Sequence, residues 1–147
     1  MRYGNAIQIA GCFWVMAMYE RGSRSYVMSK IRSTGTTLEK QLHIALKNLK
    51  IQHKMNPRMP GMPDAIIPSR KIAIFVHGCF WHGCKMHGHM PKSNLSYWRP
   101  KLSRNKKRDI ANAMTLKKEG WKVITIWEHD IKAGRLEQRL KRGIIKY

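Results

Sequence analysis

Acidic residues are scarce in this 147-residue chain, which has 8 Asp and Glu against 29 Lys and Arg. The formal net charge of +21 makes the chain repel itself unless an anionic partner is near. Nucleic acid is the first partner that this charge indicates, and an anionic membrane surface is the second. Any Mg²⁺ site must take its carboxylates from a short set. That set is Glu20, Glu39, Asp64, Asp109, Glu119, Glu128, Asp130 and Glu137.

Cysteine is also scarce, and so are long apolar runs. The three cysteines, Cys12, Cys79 and Cys84, are an odd number, so metal ligation in a reducing cytosol fits them better than a disulfide framework. The apolar segment 6–19 is too short to span a bilayer. We therefore expect a cytoplasmic protein that works at the nucleoid and has no membrane partner.

Residues 1–27 differ in composition from the rest of the chain. They carry three Arg and one Glu, a net +2, so +19 of the total charge lies in residues 28–147. The segment is weakly signal-like, but it lacks a strong basic start and a clear cleavage site. We expect residues 1–27 to be a leader that is disordered or reflects a mis-assigned start, and residues 28–147 to form one functional domain.

Hydrophobic spacing predicts an α/β domain with a small mixed sheet flanked by helices. The predicted elements are a helix after Thr36 with Glu39 as capping-box partner, strands over 64–68, 72–77 and 121–127, and helices over 100–119 and 133–142. The first two strands are expected to form a hairpin, preceded by a loop over 53–63. The predicted inward positions are Leu38, Leu42, Ala45, Leu46, Leu49, Leu102, Ile110, Ala113, Met114, Leu116, Leu136 and Leu140.

Residues 77–89 follow the strand 72–77 directly and contain four histidines and two cysteines. Zn²⁺ binds about four nitrogen or sulfur ligands at spacings that a short loop can wrap. Local candidates are Cys79, Cys84, His87 and His89. His129 follows the strand 121–127, and it would reach the same site if the two strands are neighbours. The alternative is that the cysteines are simply buried and the histidines lie at the surface.

A second candidate site combines one acid with two histidines. Asp64 opens a strand after a proline-rich turn, and the hairpin would bring it toward the end of strand 72–77, near His77 and His82. A carboxylate there could bind Mg²⁺, and a histidine could remove a proton from water. The alternative role for Asp64 is a turn or cap residue. Capping alone is a sufficient role for Glu39.

Three aromatic residues and a basic run suit contact with nucleic acid. Phe80 and Trp81 lie between two candidate zinc ligands, and Trp98 lies near the head of the basic helix, where ordinary packing is an equal alternative. Exposed aromatic side chains beside basic residues can stack on bases or wedge between them. The basic run is expected to contact phosphates. Its residues are Lys101, Arg104, Lys106, Lys107 and Arg108.

Several blocks of the sequence resemble the very short patch repair (Vsr) DNA mismatch endonucleases, which belong to the restriction-endonuclease-like superfamily. The blocks are PGMPD at 60–64, FVHGCFWHGC at 75–84, PKSN at 91–94, YW at 97–98, RN at 104–105 with Asp109, GWKV at 120–123 and WEH at 127–129. The resemblance covers residues 28–132, and residues 1–27 have no counterpart in it.

The resemblance implies a restriction-endonuclease-like core and a Mg²⁺-dependent enzyme that nicks one strand of duplex DNA beside a T:G mismatch. Such mismatches arise when 5-methylcytosine deaminates in the recognition site of a cytosine-5 DNA methyltransferase. The implied activity therefore belongs to DNA mismatch repair and is functionally linked to that methyltransferase. Hydrolysis would leave a 5′-phosphate and a 3′-hydroxyl, and we expect the protein to act as a monomer.

The same resemblance implies roles for individual residues. Asp64 would be the Mg²⁺-binding acid, the backbone carbonyl of Val76 would be a second Mg²⁺ ligand, and His82 would be the general base. Glu39 and His77 would support the active site. The side chains that intercalate beside the mismatch would be Phe80, Trp81 and Trp98.

The predicted zinc ligands depart from the family's best-known pattern. That pattern has His and Cys two and four residues after the catalytic His, and Cys after the final WE. Here those positions hold Cys84, Met86 and His129. Methionine is a poor Zn²⁺ ligand, so His87 is expected to replace Met86, with His89 as the alternative. The predicted structural Zn²⁺ set is Cys79, Cys84, His87 and His129.

Two rival functions use the same residues. A zinc-stabilised DNA-binding module without catalysis would explain the charge, the cysteines and the aromatic residues, but it gives Asp64 and His82 no role. A restriction-type endonuclease would cut both strands of matched DNA. The number of strands cut in matched and mismatched duplexes separates these alternatives.

Overall fold

The computed structural model describes residues 35–145, which form four α-helices and four strands in mixed order. The elements are α1 Thr37–Asn48, β1 Lys54–Met55, β2 Ala65–Ile67, a 3-10 helix Pro68–Arg70, β3 Ile72–His77, α2 Leu95–Lys118, β4 Lys122–Trp127, α3 Glu128–Lys132 and α4 Leu136–Ile145. The predicted leader, residues 1–27, lies outside the described residues. Within residues 35–145, no helix is long and apolar enough to cross a membrane.

The strands form one mixed sheet in the order β1-β2-β3-β4. β2 and β3 pair antiparallel, as the predicted hairpin requires. β3 and β4 are parallel, with Val76 opposite Ile126 and His77 opposite Trp127. The carboxyl ends of β3 and β4 therefore open at the same edge of the sheet, which brings the loop after β3 close to the start of α3. The mixed α/β architecture predicted from the sequence is confirmed.

Helices cover both faces of the sheet. On one face, α1 and α4 bury a core that includes Leu46, Ile74 and Leu140. On the other face, Leu116 of α2 packs with Ile66 of β2. Fully burying one such side chain contributes about 1.5–3 kcal/mol. These two layers therefore hold the sheet edge at which β3 and β4 end.

The first helix begins as its sequence predicts. The Glu39 N–H donates to the Thr36 hydroxyl at 3.3 Å, and the Glu39 carboxylate accepts from the N–H groups of Thr36 and Gly35 at 3.3 and 3.0 Å. The Asn56 side chain donates a further hydrogen bond to Glu39 at 3.3 Å. Glu39 is only 5% exposed. The capping box therefore fixes the Glu39 carboxylate in the interior, while Thr36 is partly exposed.

The second helix begins earlier than predicted. It begins at Leu95 rather than at residue 100, so Pro100 lies inside the helix. Proline is common in the first turn of helices, and this preference misplaced the predicted boundary. Because proline has no N–H, one backbone hydrogen bond is missing from this part of α2.

Two apolar residues of α2 do not face inward as predicted. Leu102 and Leu116 are buried, but Ile110 and Met114 are 61% and 55% exposed. The reason is that α2 turns Asp109 toward the sheet edge, where it contacts a histidine. Ile110, one position further along the helix, is thereby directed away from the sheet.

The chain after β4 forms two helices where one was predicted. α3 follows β4 without a loop, and it is separated from α4 by Gly134, whose φ of +69° lies in the left-handed region. Leu136 and Leu140 are buried in α4, as predicted. The predicted loop 53–63 also contains the two-residue strand β1.

Candidate active site and metal centre

Asp64 lies directly before β2, opposite the end of β3. Its Oδ2 accepts a hydrogen bond from the Val76 N–H at 2.6 Å. Burial raises the pKa of Asp64 to about 6; the Val76 hydrogen bond opposes this rise, and the Glu39 carboxylate adds to it. Among the ion pairs of residues 35–145, none includes Asp64. A half-buried carboxylate without a cation suits a divalent metal ion.

His82 lies in the loop after β3, and α2 supplies its partner. His82 Nδ1 is 2.6 Å from Asp109 Oδ2, and the two side chains are 21% and 17% exposed. With its proton on Nδ1, the imidazole donates to this carboxylate and leaves Nε2 as an acceptor. The pair therefore has the geometry of a general base that a carboxylate orients.

His77 ends β3 and packs flat against the His82 ring. The ring centroids are 3.9 Å apart and the planes differ by 7°. Burial lowers the pKa of His77 to about 4, and the adjacent His82 contributes in the same direction. His77 is therefore neutral at pH 7, and it stacks on the His82 ring as an uncharged imidazole.

One glycine and one amide dock the His82 loop onto α2. Asn105 Nδ2 donates to the Trp81 carbonyl at 3.1 Å. Gly83 has φ +60°, and a Cβ at this position would overlap the Lys106 side chain. Glycine is favoured here by the left-handed backbone conformation, and its lack of a Cβ leaves room for the end of the Lys106 side chain. These contacts bring the histidine to its carboxylate partner.

A second group of potential ligands joins the same loop to α3. Cys79, Cys84, His87 and His129 each offer one ligand atom, and these atoms lie within 4.8 Å of one another. His129 Nδ1 is 3.3 Å from Cys79 Sγ and 3.6 Å from Cys84 Sγ. Tetrahedral Zn–S and Zn–N bonds of about 2.3 and 2.0 Å would separate sulfur from nitrogen by about 3.5 Å. The donor set and its spacing therefore fit Zn²⁺.

The two thiols differ in acidity. Burial acts to raise the pKa of Cys84, but hydrogen bonds from the His87 and Met86 backbone outweigh it and lower the pKa to about 7. Burial raises the pKa of Cys79. The thiolate is the form that binds metals, so Cys84 has the larger fraction in the metal-binding form near neutral pH. His89, the alternative ligand, lies outside the group.

α3 contacts this group through two acidic side chains. Glu128 Oε2 accepts from the Cys79 N–H at 3.0 Å, and Glu128 Oε1 pairs with Lys132 at 2.6 Å, which lowers the pKa of Glu128. Asp130 is 2% exposed, and its Oδ2 is 3.8 Å from His129 Nε2. The helix that the sequence did not predict thus anchors the loop backbone through Glu128 and places a carboxylate near the His129 imidazole.

The three predicted DNA-contacting aromatic residues lie together. The Phe80 ring centroid is 4.9 Å from that of Trp81 and 5.3 Å from that of Trp98, and the two tryptophans are 6.0 Å apart. Tyr97 adds a fourth ring, 5.1 Å from Trp98. Phe80, Trp81 and Trp98 are half-buried. They therefore support one another while part of each ring reaches solvent.

Sequence reasoning gave no role to three residues that contact these sites, Asp109, Asn105 and Glu128. For the two on α2, a signal was present. Leu102, Asn105, Asp109 and Leu116 recur at spacings of three, four and seven, which places them on one helix face. Polar residues between buried leucines on such a face indicate an interior polar contact.

Comparisons with known proteins agree with the resemblance. A family model described as DNA mismatch endonuclease Vsr matches residues 16–88. The type II nicking enzyme V.XorIIP of Xanthomonas oryzae pv. oryzae is 40% identical over 121 residues, 80% of this chain and 89% of the relative. DNA mismatch endonuclease Vsr of Escherichia coli is 30% identical over 113 residues, 76% of this chain and 72% of the relative. The homing endonuclease I-Bth0305I catalytic domain superposes with a TM-score of 0.46 and 19% identity, over 76% of this chain and 96% of that domain.

These relatives define the class of the protein: it is a DNA endonuclease, a hydrolase whose substrate is DNA. More particularly, the chain belongs to the Vsr family of DNA mismatch endonucleases. The family and the enzyme class predicted from the sequence are confirmed. The family match begins at residue 16, and the division of the chain at Met28 stays a prediction.

Proposed function

We propose that this protein nicks one strand of duplex DNA beside a T:G mismatch, by Mg²⁺-dependent hydrolysis, within DNA mismatch repair. The observation that carries the proposal is the His82–Asp109 pair, which lies just past the end of β3. The Val76 N–H near the end of the same strand donates to Asp64. A relative named a nicking enzyme and another named a mismatch endonuclease support strand-specific action on mismatched DNA. The mixed sheet with helices on both faces supports a restriction-endonuclease-like core.

Asp64 and the backbone carbonyl of Val76 would hold the Mg²⁺ ion. The raised pKa of Asp64, which burial and Glu39 cause, means that its negative charge is poorly compensated by the protein alone. When bound, Mg²⁺ would polarise the scissile phosphate and lower the pKa of its own water. The buried capping carboxylate of Glu39 adds to the negative potential that attracts a cation.

His82 would act as the general base. Its Nδ1 is engaged by Asp109, so Nε2 would accept a proton from the attacking water. The water oxygen then forms a bond to phosphorus, the bond from phosphorus to the 3′ oxygen breaks, and that oxygen takes up a proton. The products are a 5′-phosphate and a 3′-hydroxyl. His77 would keep the His82 ring in plane through the observed stacking.

Asp109→Asn is expected to reduce the nicking rate constant about 100-fold or more while leaving DNA affinity unchanged. The Asn amide would donate to His82 Nδ1, which forces the proton onto Nε2 and removes the acceptor that the water needs. Single-turnover nicking and equilibrium binding of the same T:G duplex measure the two effects. Glu119→Gln, an exposed acid that follows the same helix, is the control.

The tautomer of His82 shows whether Asp109 positions this histidine or has only a structural role. Nitrogen NMR of the imidazole is expected to show the proton on Nδ1 in the wild type and on Nε2 in Asp109→Asn. Unchanged nicking together with the new tautomer would remove Asp109 from the mechanism.

Phe80, Trp81 and Trp98 would wedge between base pairs beside the mismatch. Their ring-to-ring contacts support this role because a wedge must be rigid to separate stacked bases. The basic face of α2, with Lys101, Lys107 and Arg108, would contact backbone phosphates. A T:G pair is less stable than a matched pair, so separating the bases there costs less free energy.

Cys79, Cys84, His87 and His129 would hold a structural Zn²⁺ ion. We expect His87→Ala to lose bound zinc and to lower the melting temperature by about 10 °C or more, because a structural zinc site contributes folding free energy directly. His89→Ala is the matched control and is expected to retain zinc. Elemental analysis and thermal melting read both variants. Zinc lost from His89→Ala but kept in His87→Ala would exchange the two assignments.

The remaining parts of the proposal concern the setting of the reaction. The protein would act as a cytoplasmic monomer at the nucleoid, on T:G mismatches left by deamination in sites of a cytosine-5 DNA methyltransferase. A T:G duplex labelled on both strands and incubated with or without Mg²⁺ tests the reaction. We expect one strand to shorten, only with Mg²⁺, and to carry a new 5′-phosphate. Binding without cleavage under all conditions would favour the noncatalytic DNA-binding module instead.

A further inference from the structure

A pocket of about 410 Å³ lies beside the aromatic cluster, between the loop after β3 and the start of α2. This volume is within the range of clefts that hold small molecules or parts of larger ones. The chemistry described above does not use it. The side chains on which the inference rests are Phe80, Met90, Arg99, Leu102, Ser103 and Lys106.

The charge of this pocket selects an anion. Arg99 and Lys106 both line it from one face of α2, and the lining contains no Asp or Glu. Neither cation takes part in the ion pairs of residues 35–145. The end of the Lys106 side chain lies so close to Gly83 that a Cβ there would overlap its Cε and Nζ atoms. Its ammonium group therefore lies at the wall of the pocket, and the Ser103 hydroxyl adds a donor from the same helix.

Apart from the imidazole of His89, the remaining walls are mostly apolar. Leu102 is 6% exposed, Met90 is 45% exposed, and the Phe80 ring forms the side shared with the aromatic cluster. An anionic group with an adjoining apolar body matches this combination. In duplex DNA, a backbone phosphate with its deoxyribose has this chemistry.

We infer that the pocket binds one phosphate and its deoxyribose from the DNA strand next to the wedged bases. Arg99 and Lys106 contact the phosphate, and Leu102 and Met90 contact the sugar. The inference rests on the proposed function, because Phe80 belongs both to the pocket and to the proposed wedge. Anchoring one phosphate beside the wedge fixes the base step at which the wedge enters.

The test pairs a charge-removing variant with single uncharged linkages in DNA. Arg99→Gln with Lys106→Gln removes the two pocket cations, and Lys117→Gln with Lys118→Gln removes two charges from the exposed end of the same helix as the control. Each protein is titrated with T:G duplexes that carry one methylphosphonate in place of one phosphate. Thermal melting establishes that both double variants fold. If the double variant of Arg99 and Lys106 does not fold, the two single substitutions are used in its place.

For the wild type and the control pair, we expect one linkage near the mismatch whose neutralisation weakens binding about tenfold. The double variant Arg99→Gln with Lys106→Gln is expected to bind the unmodified duplex about tenfold more weakly than the wild type. Neutralising that same linkage is expected to cause no further loss of its affinity. Its dependence of log K on log salt is expected to fall by about 1. The inference would be overturned if the losses of affinity from the substitutions and from the methylphosphonate were additive at every linkage. It would also be overturned if the control variant of Lys117 and Lys118 lost its sensitivity at the same linkage. Nicking of the same duplexes is measured separately. If the pocket variant loses the linkage-specific effect but the wild type does not nick, the proposed function alone is refuted. If the wild type nicks but the pocket variant keeps the linkage-specific effect, the pocket assignment alone is refuted.

Discussion

Asp64→Asn is expected to abolish nicking and, in Mg²⁺-free buffer, to make the protein more stable at neutral pH. The loss of activity follows from the proposed Mg²⁺ site, since an amide is a far weaker ligand for a hard cation than a carboxylate. A loss of several kcal/mol of transition-state stabilisation corresponds to about 1,000-fold or more in rate. The Asn carbonyl can still accept the hydrogen bond from the Val76 N–H.

The gain in stability follows from the raised pKa of Asp64. The folded protein raises this pKa from 3.8 to about 6, so it favours the neutral carboxylic acid over the carboxylate. The free energy of unfolding of the wild type therefore falls as pH rises from about 4 to about 6, and the loss is complete above that range. After a discount for the partial exposure of Asp64, the loss is on the order of 2 kcal/mol. The Asn side chain has no charge, so the Asp64→Asn variant avoids this loss of stability.

Thermal melting at pH 4 and pH 7.5 measures this effect. The melting temperature of Asp64→Asn is expected to equal that of the wild type at pH 4 and to exceed it by several degrees at pH 7.5. Glu137→Gln, a change at an exposed acid on α4, is expected to show no pH-dependent gain. A destabilised Asp64→Asn at pH 7.5, or one that nicks at the wild-type rate, would contradict the assignment.

His82→Ala is expected to reduce the nicking rate constant by about 100- to 10,000-fold, the usual contribution of a general base. DNA affinity is expected to stay within about twofold of the wild type, because His82 contacts Asp109 and His77 rather than the aromatic cluster. The vacated space beside His77 also allows a chemical rescue. Added imidazole is expected to restore part of the rate and to leave affinity unchanged.

The control for this prediction is His43→Ala, which removes a histidine of α1 that pairs with His53 at 2.8 Å. We expect it to nick at the wild-type rate. If His82→Ala also nicks at that rate, His82 is not the base. If His82→Ala fails to bind DNA, its role is structural.

The parts of the fold that the sequence predicted are those in which local pattern and tertiary packing agree. Thr36 and Glu39 form the capping box that their spacing indicates, and the hairpin of β2 and β3 follows from a short connection between two apolar runs. The parallel pairing of β3 with β4 was required for His129 to reach the cysteines, and it is present. The start of α2 was misplaced because Pro100 resembles a first-turn proline.

The candidate site was predictable where its residues are close in sequence. Residues 77–89 carry His77, His82 and both loop cysteines on one short connection after β3. Asp109 was missed because its contact with His82 spans 27 positions and depends on how α2 rotates over the sheet edge. The same rotation exposes Ile110 and Met114, which were predicted to face inward from their hydrophobicity alone. At this helix face Asp109 takes an inward position, and the sequence signal for it is the spacing of Asn105 and Asp109 between Leu102 and Leu116 rather than hydrophobicity alone.

The measurement that tests the central claim most directly is single-turnover cleavage of a T:G duplex and of its matched T:A counterpart, each labelled on both strands, with Mg²⁺. We expect one cut, on one strand of the T:G duplex next to the mismatch, and an intact T:A duplex. Cuts on both strands of the T:A duplex at a comparable rate would contradict mismatch-directed nicking and would identify a restriction-type endonuclease.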